Sequence, residues 1–261
     1  MLPKILEYNV GLTAKSIIEF TQKVLEKDGL SRLVIGLSTG LDSTTAGYLA
    51  SRSIGGDNVI GVHLPHNEQE RSSKEFYRIC DLLELPQRNR HVVDIRPMLE
   101  TYPEKGNTLQ MTNLLTRIQR SILFDYSHKN GAPLYGTLNR TEYELGEFPI
   151  FGLDASFQPI RGIFKTQLKE LAAFLDAPKD IQERVPKIDS WQGKDFEIMR
   201  TELVRIGISN VDQILAYHFN GFTPAELVKE GFKEKDVHFV LEFRRKNLFK
   251  QSLPYVPELM T

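Results

Sequence analysis

The chain alternates short apolar segments, rich in β-branched residues, with longer segments whose apolar residues recur at helical spacing. Strands are predicted at SRLVIGL, DNVIGVHLP, RHVVDI and APLYGTL, and the helices between them at STTAGYLASRS, SSKEFYRICDLLEL and MTNLLTRIQRSILFDYSHK. Strands that are apolar throughout and separated by helices favour a parallel sheet covered on both faces. We therefore expect an α/β fold with a doubly wound parallel sheet, a ligand crevice at the carboxyl ends of the strands, and a mainly helical C-terminal third.

In LVIGLSTGLDSTTAGYLA the first predicted strand leads into a loop of small residues, and the loop leads into the first helix of this alternation. Glycines and hydroxyls at a helix N-terminus let backbone amides face an anion, which suits a phosphate. The candidate residues are Gly36, Ser38, Thr39, Gly40 and Ser43. The spacing matches neither the Walker nor the Rossmann fingerprint. Asp42 makes sense beside a phosphate if Mg²⁺ joins them, and the alternative is that Asp42 and Ser43 only cap the helix.

The composition excludes several classes of function. The 261 residues, 41% of them hydrophobic, suffice for one sizeable core, so a single domain is expected. The 33 basic and 34 acidic residues argue against a general nucleic-acid surface. A single cysteine, Cys80, excludes an internal disulfide, and no apolar run is long enough to cross a membrane. We therefore expect a cytoplasmic protein with neither nucleic-acid nor membrane partners.

Several segments carry a resemblance to one family. STGLDS resembles the SGGxDS pyrophosphate-binding loop of the N-type ATP pyrophosphatases, and GTLNRTEYELGEF followed by GIFKTQLKELAAFL is similar to the NAD synthetase signature. NLLTRIQRSILF, VPKIDSWQG and FKQSLPYVP match further family segments in the same order. On this resemblance the chain is identified as a member of the NAD synthetase family, with an adenine nucleotide alpha hydrolase-like fold.

The resemblance implies a two-step ligation, in which ATP adenylates a carboxylate and ammonia then displaces AMP to leave an amide. Carried over by motif, Asp42 and Glu142 are expected to hold Mg²⁺, Thr137 to contact ATP and Lys165 to reach its phosphates. Asp42 and Lys165 are the expected catalytic residues. The alternatives are that Lys165 is a solvated lysine at a helix start and that Glu142 is a surface acid.

One loop departs from the family pattern. Where NAD synthetases typically read Gly-Tyr-Phe-Thr-Lys-Tyr-Gly-Asp, with another Asp four residues on, this chain reads GEFPIFGLDASF, so the lysine is Ile150 and the acids are Leu153 and Phe157. The expected substrate-binding residues are Arg117, Asp154, Lys187 and Lys250, of which Asp154 is displaced by one position and Lys187 replaces a serine. Three interpretations stay open: a divergent NAD synthetase acting on deamido-NAD, a related ligase for another carboxylic acid, and a non-catalytic nucleotide-binding protein.

The resemblance also implies a nitrogen source and an assembly. Glutamine-dependent family members carry an additional amidase domain with a catalytic cysteine, whereas here residues 1–261 are expected to form one synthetase domain with no glutaminase and with Cys80 in the core. Free ammonia is therefore the expected nitrogen donor. NAD synthetases are homodimers, so Arg117 and the tail around Lys250 are expected to act on the neighbouring subunit.

Overall fold

The computed structural model describes residues 3–66, 69–103, 106, 108–183 and 201–252. Its sheet has four strands, β1 (Leu33–Gly36), β2 (Val59–His63), β3 (Arg90–Val92) and β4 (Leu134–Tyr135). They pair in parallel in the order β3-β2-β1-β4, which confirms the predicted sheet. The strands are shorter than the predicted segments because residues beyond their carboxyl ends turn into loops.

Eleven helices of the described residues carry labels here: α1 (Val10–Lys27), α2 (Leu41–Ile54), α3 (Gln69–Leu82), α4 (Arg96–Glu100), α5 (Thr108–Asn130), α6 (Arg140–Leu145), α7 (Lys165–Phe174), α8 (Lys179–Gln182), α9 (Ile208–Phe219), α10 (Pro224–Lys229) and α11 (Glu234–Asn247). Residues 201–206 are also helical. The three helices predicted between the strands are confirmed as α2, α3 and α5. None of the described helices is long and apolar enough to cross a membrane.

Alternate residues of each strand enter different cores. Leu33 and Ile35 of β1 pack in a cluster with residues of α1, α2, α3 and α7. Val34 lies in a second cluster with Leu115 and Leu123 of α5. Since successive side chains of a strand point to opposite faces, helices cover the sheet on both sides, as expected for a doubly wound fold.

The C-terminal helices form a third cluster. Val211, Ile214 and Leu215 of α9 pack with Leu145 of α6 and Phe164, the residue before α7. The helical C-terminal part therefore packs directly against the two elements that carry Glu142 and Lys165.

The strand order reverses at β1. The chain proceeds from β1 through β2 to β3 on one side, and β4 then pairs with the other side of β1. In open α/β sheets the ligand crevice lies at such a switch point, outside the carboxyl ends of the strands. The loop before α2 and the segment before α6 both begin there.

Candidate active site

The loop between β1 and α2 presents hydroxyls at the N-terminus of α2. Gly40 is the N-cap residue, and no side chain caps the helix. The Ser38 and Ser43 hydroxyls lie 3.1 Å apart, and the Ser43 hydroxyl donates to the carbonyl of Gly40 at 3.2 Å. Thr39 adopts a left-handed backbone with φ of 68°. The interpretation of Asp42 and Ser43 as simple helix caps is therefore wrong, and the N-terminus of α2 is built from small residues that suit an anion.

Gly36 has a packing role that the sequence did not reveal. A Cβ at this position would lie 2.8 Å from Cδ1 of Leu123, a side chain of α5. The glycine thus lets α5 approach the end of β1, where the loop begins.

Asp42, in the first turn of α2, contacts residues at the starts of α6 and α7. The ammonium of Lys165, the first residue of α7, donates to its Oδ2, and the amide Nδ2 of Asn139 donates to its Oδ1 at 2.8 Å. The side chains of Lys165 and Asp42 are 15% and 20% exposed, so this ion pair is largely shielded from water. The carboxylate is consequently fixed by partners from the segments that follow β4.

Asn139 also holds Glu142 through a capping box at the start of α6. The backbone N–H of Glu142 donates to Oδ1 of Asn139 at 2.9 Å, and the backbone N–H of Asn139 donates to Oε2 of Glu142 at 3.2 Å. Asn139 was not among the residues expected at the site. The spacing of Asn139 and Glu142 is that of a capping box, which was the available signal.

The charges in this cluster act on one another. Burial raises the pKa of Glu142 above its usual range, the negative charge of Asp42 raises it further, and Lys165 opposes both. Burial lowers the pKa of Lys165, but the carboxylates of Asp42 and Glu142 outweigh it, so the net shift is upward. Lys165 is accordingly held as an ammonium between two acids.

The oxygen ligands in the cluster fit Mg²⁺. Mg²⁺ is usually bound by one or two carboxylates together with substrate phosphates and waters, and Asp42 and Glu142 supply two carboxylates beside the anion-binding loop. Among the residues the structure describes, no group of three or more histidine, cysteine or acidic side chains could hold a metal by itself. A site completed by phosphate oxygens is the arrangement these residues can offer.

Two arginines of α5 contact the loop that departs from the family pattern, residues 146–157 (the divergent loop). Nε of Arg117 donates to the carbonyl of Ile150 at 3.0 Å, and Nε of Arg120 donates to the carbonyl of Gly152 at 3.1 Å. Burial lowers the pKa of Arg120 to about 10, and the nearby charge of Asp154 opposes the shift. Arg117 thus contacts the loop of its own chain, and its expected role in a neighbouring subunit stays a prediction.

Position 157, where the family pattern has an acid, holds a buried phenylalanine. Phe157 is 5% exposed, and its ring lies 5.8 Å from that of Tyr135 at the end of β4. Its backbone forms a single parallel bridge with Tyr135, so the loop returns here to the sheet edge. Asp154 is exposed and lies near Arg120.

Lys250, another expected substrate residue, contacts the C-terminal end of α6 and the Phe148 ring. The ammonium of Lys250 donates to the carbonyl of Gly146 at 2.7 Å and lies 5.8 Å from the centre of the Phe148 ring. Burial lowers the pKa of Lys250. Thr137 is half-buried between β4 and α6. Lys187 lies outside the described residues, as does the VPKIDSWQG segment.

One family model matches most of the chain. The family model described as NAD synthase matches residues 13–254. The chain belongs to the NAD synthase family. A curated relative, the NH(3)-dependent NAD(+) synthetase of Fusobacterium nucleatum, is 28% identical over 260 residues, with 97% of this chain and 98% of the relative covered.

Solved structures of the family share the fold. The NH3-dependent NAD synthetase from Campylobacter jejuni aligns with a TM-score of 0.78 at 22% identity, covering 97% of this chain and 100% of that one. The NMN synthetase from Francisella tularensis aligns with a TM-score of 0.79 at 21% identity and the same coverage. At this identity the two structures establish the fold alone.

Proposed function

We propose that this NAD synthase family member is an ATP-dependent amide ligase that uses ammonia, with deamido-NAD as the acid substrate. The carboxylate oxygen of the acid attacks the α-phosphorus of ATP, and pyrophosphate leaves. Ammonia then attacks the acyl carbon, and AMP leaves to give the amide NAD. The observation that carries the proposal is the Asp42, Lys165, Asn139 and Glu142 cluster at the switch point of the sheet, next to an uncapped helix N-terminus.

The residues of the site would have different roles in binding ATP and Mg²⁺. Ser38, Thr39, Gly40 and Ser43 would bind the pyrophosphate portion through hydroxyls and the amides of the α2 N-terminus, and Thr137 would contact the nucleotide. Lys165 would exchange its contact with Asp42 for the phosphates. Asp42 and Glu142 would hold Mg²⁺, which when bound neutralises charge that develops on the leaving pyrophosphate.

The acid substrate would bind at the divergent loop, with Arg117, Asp154 and Lys250 of the described residues as its contacts, and Lys187 is a further candidate from the sequence alone. A second candidate is the same chemistry on another carboxylic acid. It is favoured by one observation: the loop has exchanged the lysine and acids of the family pattern for Ile150, Leu153 and the buried Phe157.

The remaining parts of the proposal concern the whole chain. Residues 1–261 would act as one synthetase domain that uses free ammonia, in a cytoplasmic homodimer in which Arg117 and Lys250 lie near the second subunit. A monomeric mass in light scattering at micromolar concentration would contradict the dimer.

The test is an assay of purified protein with ATP, Mg²⁺, ammonium and deamido-NAD. Equal amounts of AMP, pyrophosphate and NAD should form, and glutamine in place of ammonium should support no turnover. Parallel reactions with nicotinic acid mononucleotide and a panel of other acids examine the second candidate. Activity with another acid but not with deamido-NAD would reassign the substrate, and no pyrophosphate with any acid would favour a non-catalytic protein.

A further inference from the structure

A buried carboxylate outside the cluster joins the two helices on which Glu142 and Lys165 lie. Asp212 belongs to α9 and is fully buried. It accepts hydrogen bonds from the Thr141 hydroxyl at 2.6 Å, the Thr166 backbone N–H at 2.7 Å and the Thr166 hydroxyl at 2.6 Å. Nothing in the chemistry described above uses this carboxylate directly.

The first N–H groups of α7 are capped by side chains of two other helices, α6 and α9. Phe164 is the N-cap residue of α7 and has no side-chain acceptor for the first N–H groups of the helix. The N–H of Lys165 instead donates to the Thr141 hydroxyl oxygen at 2.9 Å, and the N–H of Thr166 donates to Asp212. Residues of α6 and α9 therefore set where α7 begins, and α7 begins at Lys165.

The arrangement also balances charge. A lysine in the first turn of a helix is unfavourable because the helix dipole is positive there. The Asp212 carboxyl lies at the same helix end, where its ionised form offsets the dipole and the Lys165 ammonium. Burial raises the pKa of Asp212, and the hydrogen bonds from Thr141 and Thr166 and the charge of Lys165 oppose this shift. The same carboxylate holds Thr141, which directly precedes Glu142.

We propose that Asp212 is a positioning residue that fixes Lys165 and Glu142 relative to each other, so that both can act on one MgATP. The inference rests on the proposed function, since it assigns Lys165 to phosphates and Glu142 to the metal. It predicts that a change at Asp212 acts on the magnesium-dependent part of ATP binding, although Asp212 contacts neither ligand.

The experiment measures ATP affinity by calorimetry in Mg²⁺ and in EDTA, and takes the ratio of the two affinities. Asp212→Asn keeps the volume and one acceptor oxygen but removes the charge. This ratio should fall by about tenfold or more, as for other residues that orient metal ligands. In a Lys165→Met background the same substitution should lower the ratio less, because one of the two residues through which Asp212 acts is gone.

Asp236→Asn is the matched control. Asp236 is also a largely buried acid of the C-terminal helices, and it accepts a hydrogen bond from Arg205 at 2.6 Å, but its described hydrogen bonds do not involve α6 or α7. Asp236→Asn should lower thermal stability yet leave the affinity ratio within about twofold. Equal ratios for the Asp212 and Asp236 variants would overturn the positioning role and leave Asp212 a structural residue.

The pair Thr166→Val and Thr166→Ser gives a milder test in case Asp212→Asn does not fold. Serine keeps the hydroxyl donor to Asp212, whereas valine removes it and retains the backbone bond. The ratio should fall for valine and not for serine, and equal values for the two variants would overturn the inference. If the wild type binds no MgATP, the proposed function itself fails. If the wild type binds MgATP normally and the Asp212 variant has the same affinity ratio, only the positioning role of Asp212 fails.

Discussion

The ammonium of Lys165 donates a hydrogen bond to the carboxylate of Asp42, although 123 residues separate them in the chain. The pair joins the loop after β1 to the start of α7. It also places a fixed cation on the carboxylate that is expected to bind a metal. If Asp42 binds a metal, Lys165 and the divalent cation would compete for it until phosphates give the lysine another partner.

Replacement of Lys165 by methionine should consequently separate metal binding from turnover. With the competing ammonium gone, Mn²⁺ alone, followed by electron paramagnetic resonance, should bind about tenfold more tightly, equivalent to about 1.4 kcal/mol. Pyrophosphate release with ATP and acid should nevertheless fall by about 100-fold, because the phosphates lose their cation. Unchanged Mn²⁺ affinity would show that the ion pair does not compete with the metal.

Asp42→Asn should abolish adenylation of any acid. The substitution removes an anionic ligand while keeping an amide that can accept from Lys165, so Mg²⁺-dependent pyrophosphate release should drop by about 100-fold or more. Asp176→Asn is the control, since Asp176 is 82% exposed and pairs only with Arg52 among its described ion pairs. Full activity in the Asp42 variant would remove the phosphate-loop assignment.

The sequence predicted the sheet and the helices between its strands, because these depend on local periodicity. Contiguous motifs also singled out Asp42, Glu142 and Lys165, whose roles stay predictions. Lys165 begins α7, as the motif predicted, whereas Glu142, which was expected in a turn, lies in the first turn of α6. Asn139 and Asp212 were missed. Asn139 contacts Asp42 across 97 residues, and Asp212 contacts Thr141 across 71, so neither pairing leaves a local pattern.

The divergent loop could be recognised from the sequence, but the hydrogen bonds that hold it in place could not. The buried guanidinium of Arg120 bonds a backbone carbonyl, and a carbonyl has no residue identity for a pattern to reveal. The same holds for Gly36, whose need for space comes from Leu123 on a distant helix.

Arg120→Met should loosen the divergent loop without changing the nucleotide site. Loss of a charged hydrogen bond to the Gly152 carbonyl should raise the KM for the acid by about tenfold, while the Kd of MgATP stays within about twofold. Arg88→Met, which removes a highly exposed pair with Asp57, is the matched control and should change neither constant. A weaker MgATP affinity with an unchanged KM for the acid would place Arg120 in the nucleotide site instead.

Ile150→Lys should distinguish the two candidate acids. It restores the lysine of the family pattern at a half-buried position whose carbonyl is held by Arg117. If deamido-NAD is the substrate, kcat/KM for it should be equal or higher, because a cation is returned to a pocket that binds an anion. If the loop has been remodelled for another acid, turnover of that acid should fall while ATP binding persists. Ile150→Met controls for the loss of the branched side chain.

The Arg205 and Asp236 pair, which includes none of the expected site residues, predicts how stability depends on pH. The hydrogen bond from Arg205 lowers the pKa of Asp236 below its usual value, and burial opposes this only in part. A carboxyl whose folded pKa is depressed stabilises the fold at pH values above its unfolded pKa of about 3.9, and this contribution disappears as the pH falls through the folded pKa. The difference in unfolding free energy between wild type and Asp236→Asn should therefore be largest near about pH 7 and shrink below about pH 4, measured by urea denaturation. Arg205→Met should remove the same pH-dependent part, and a difference that stays constant across this range would show that the pair contributes through packing and not through charge.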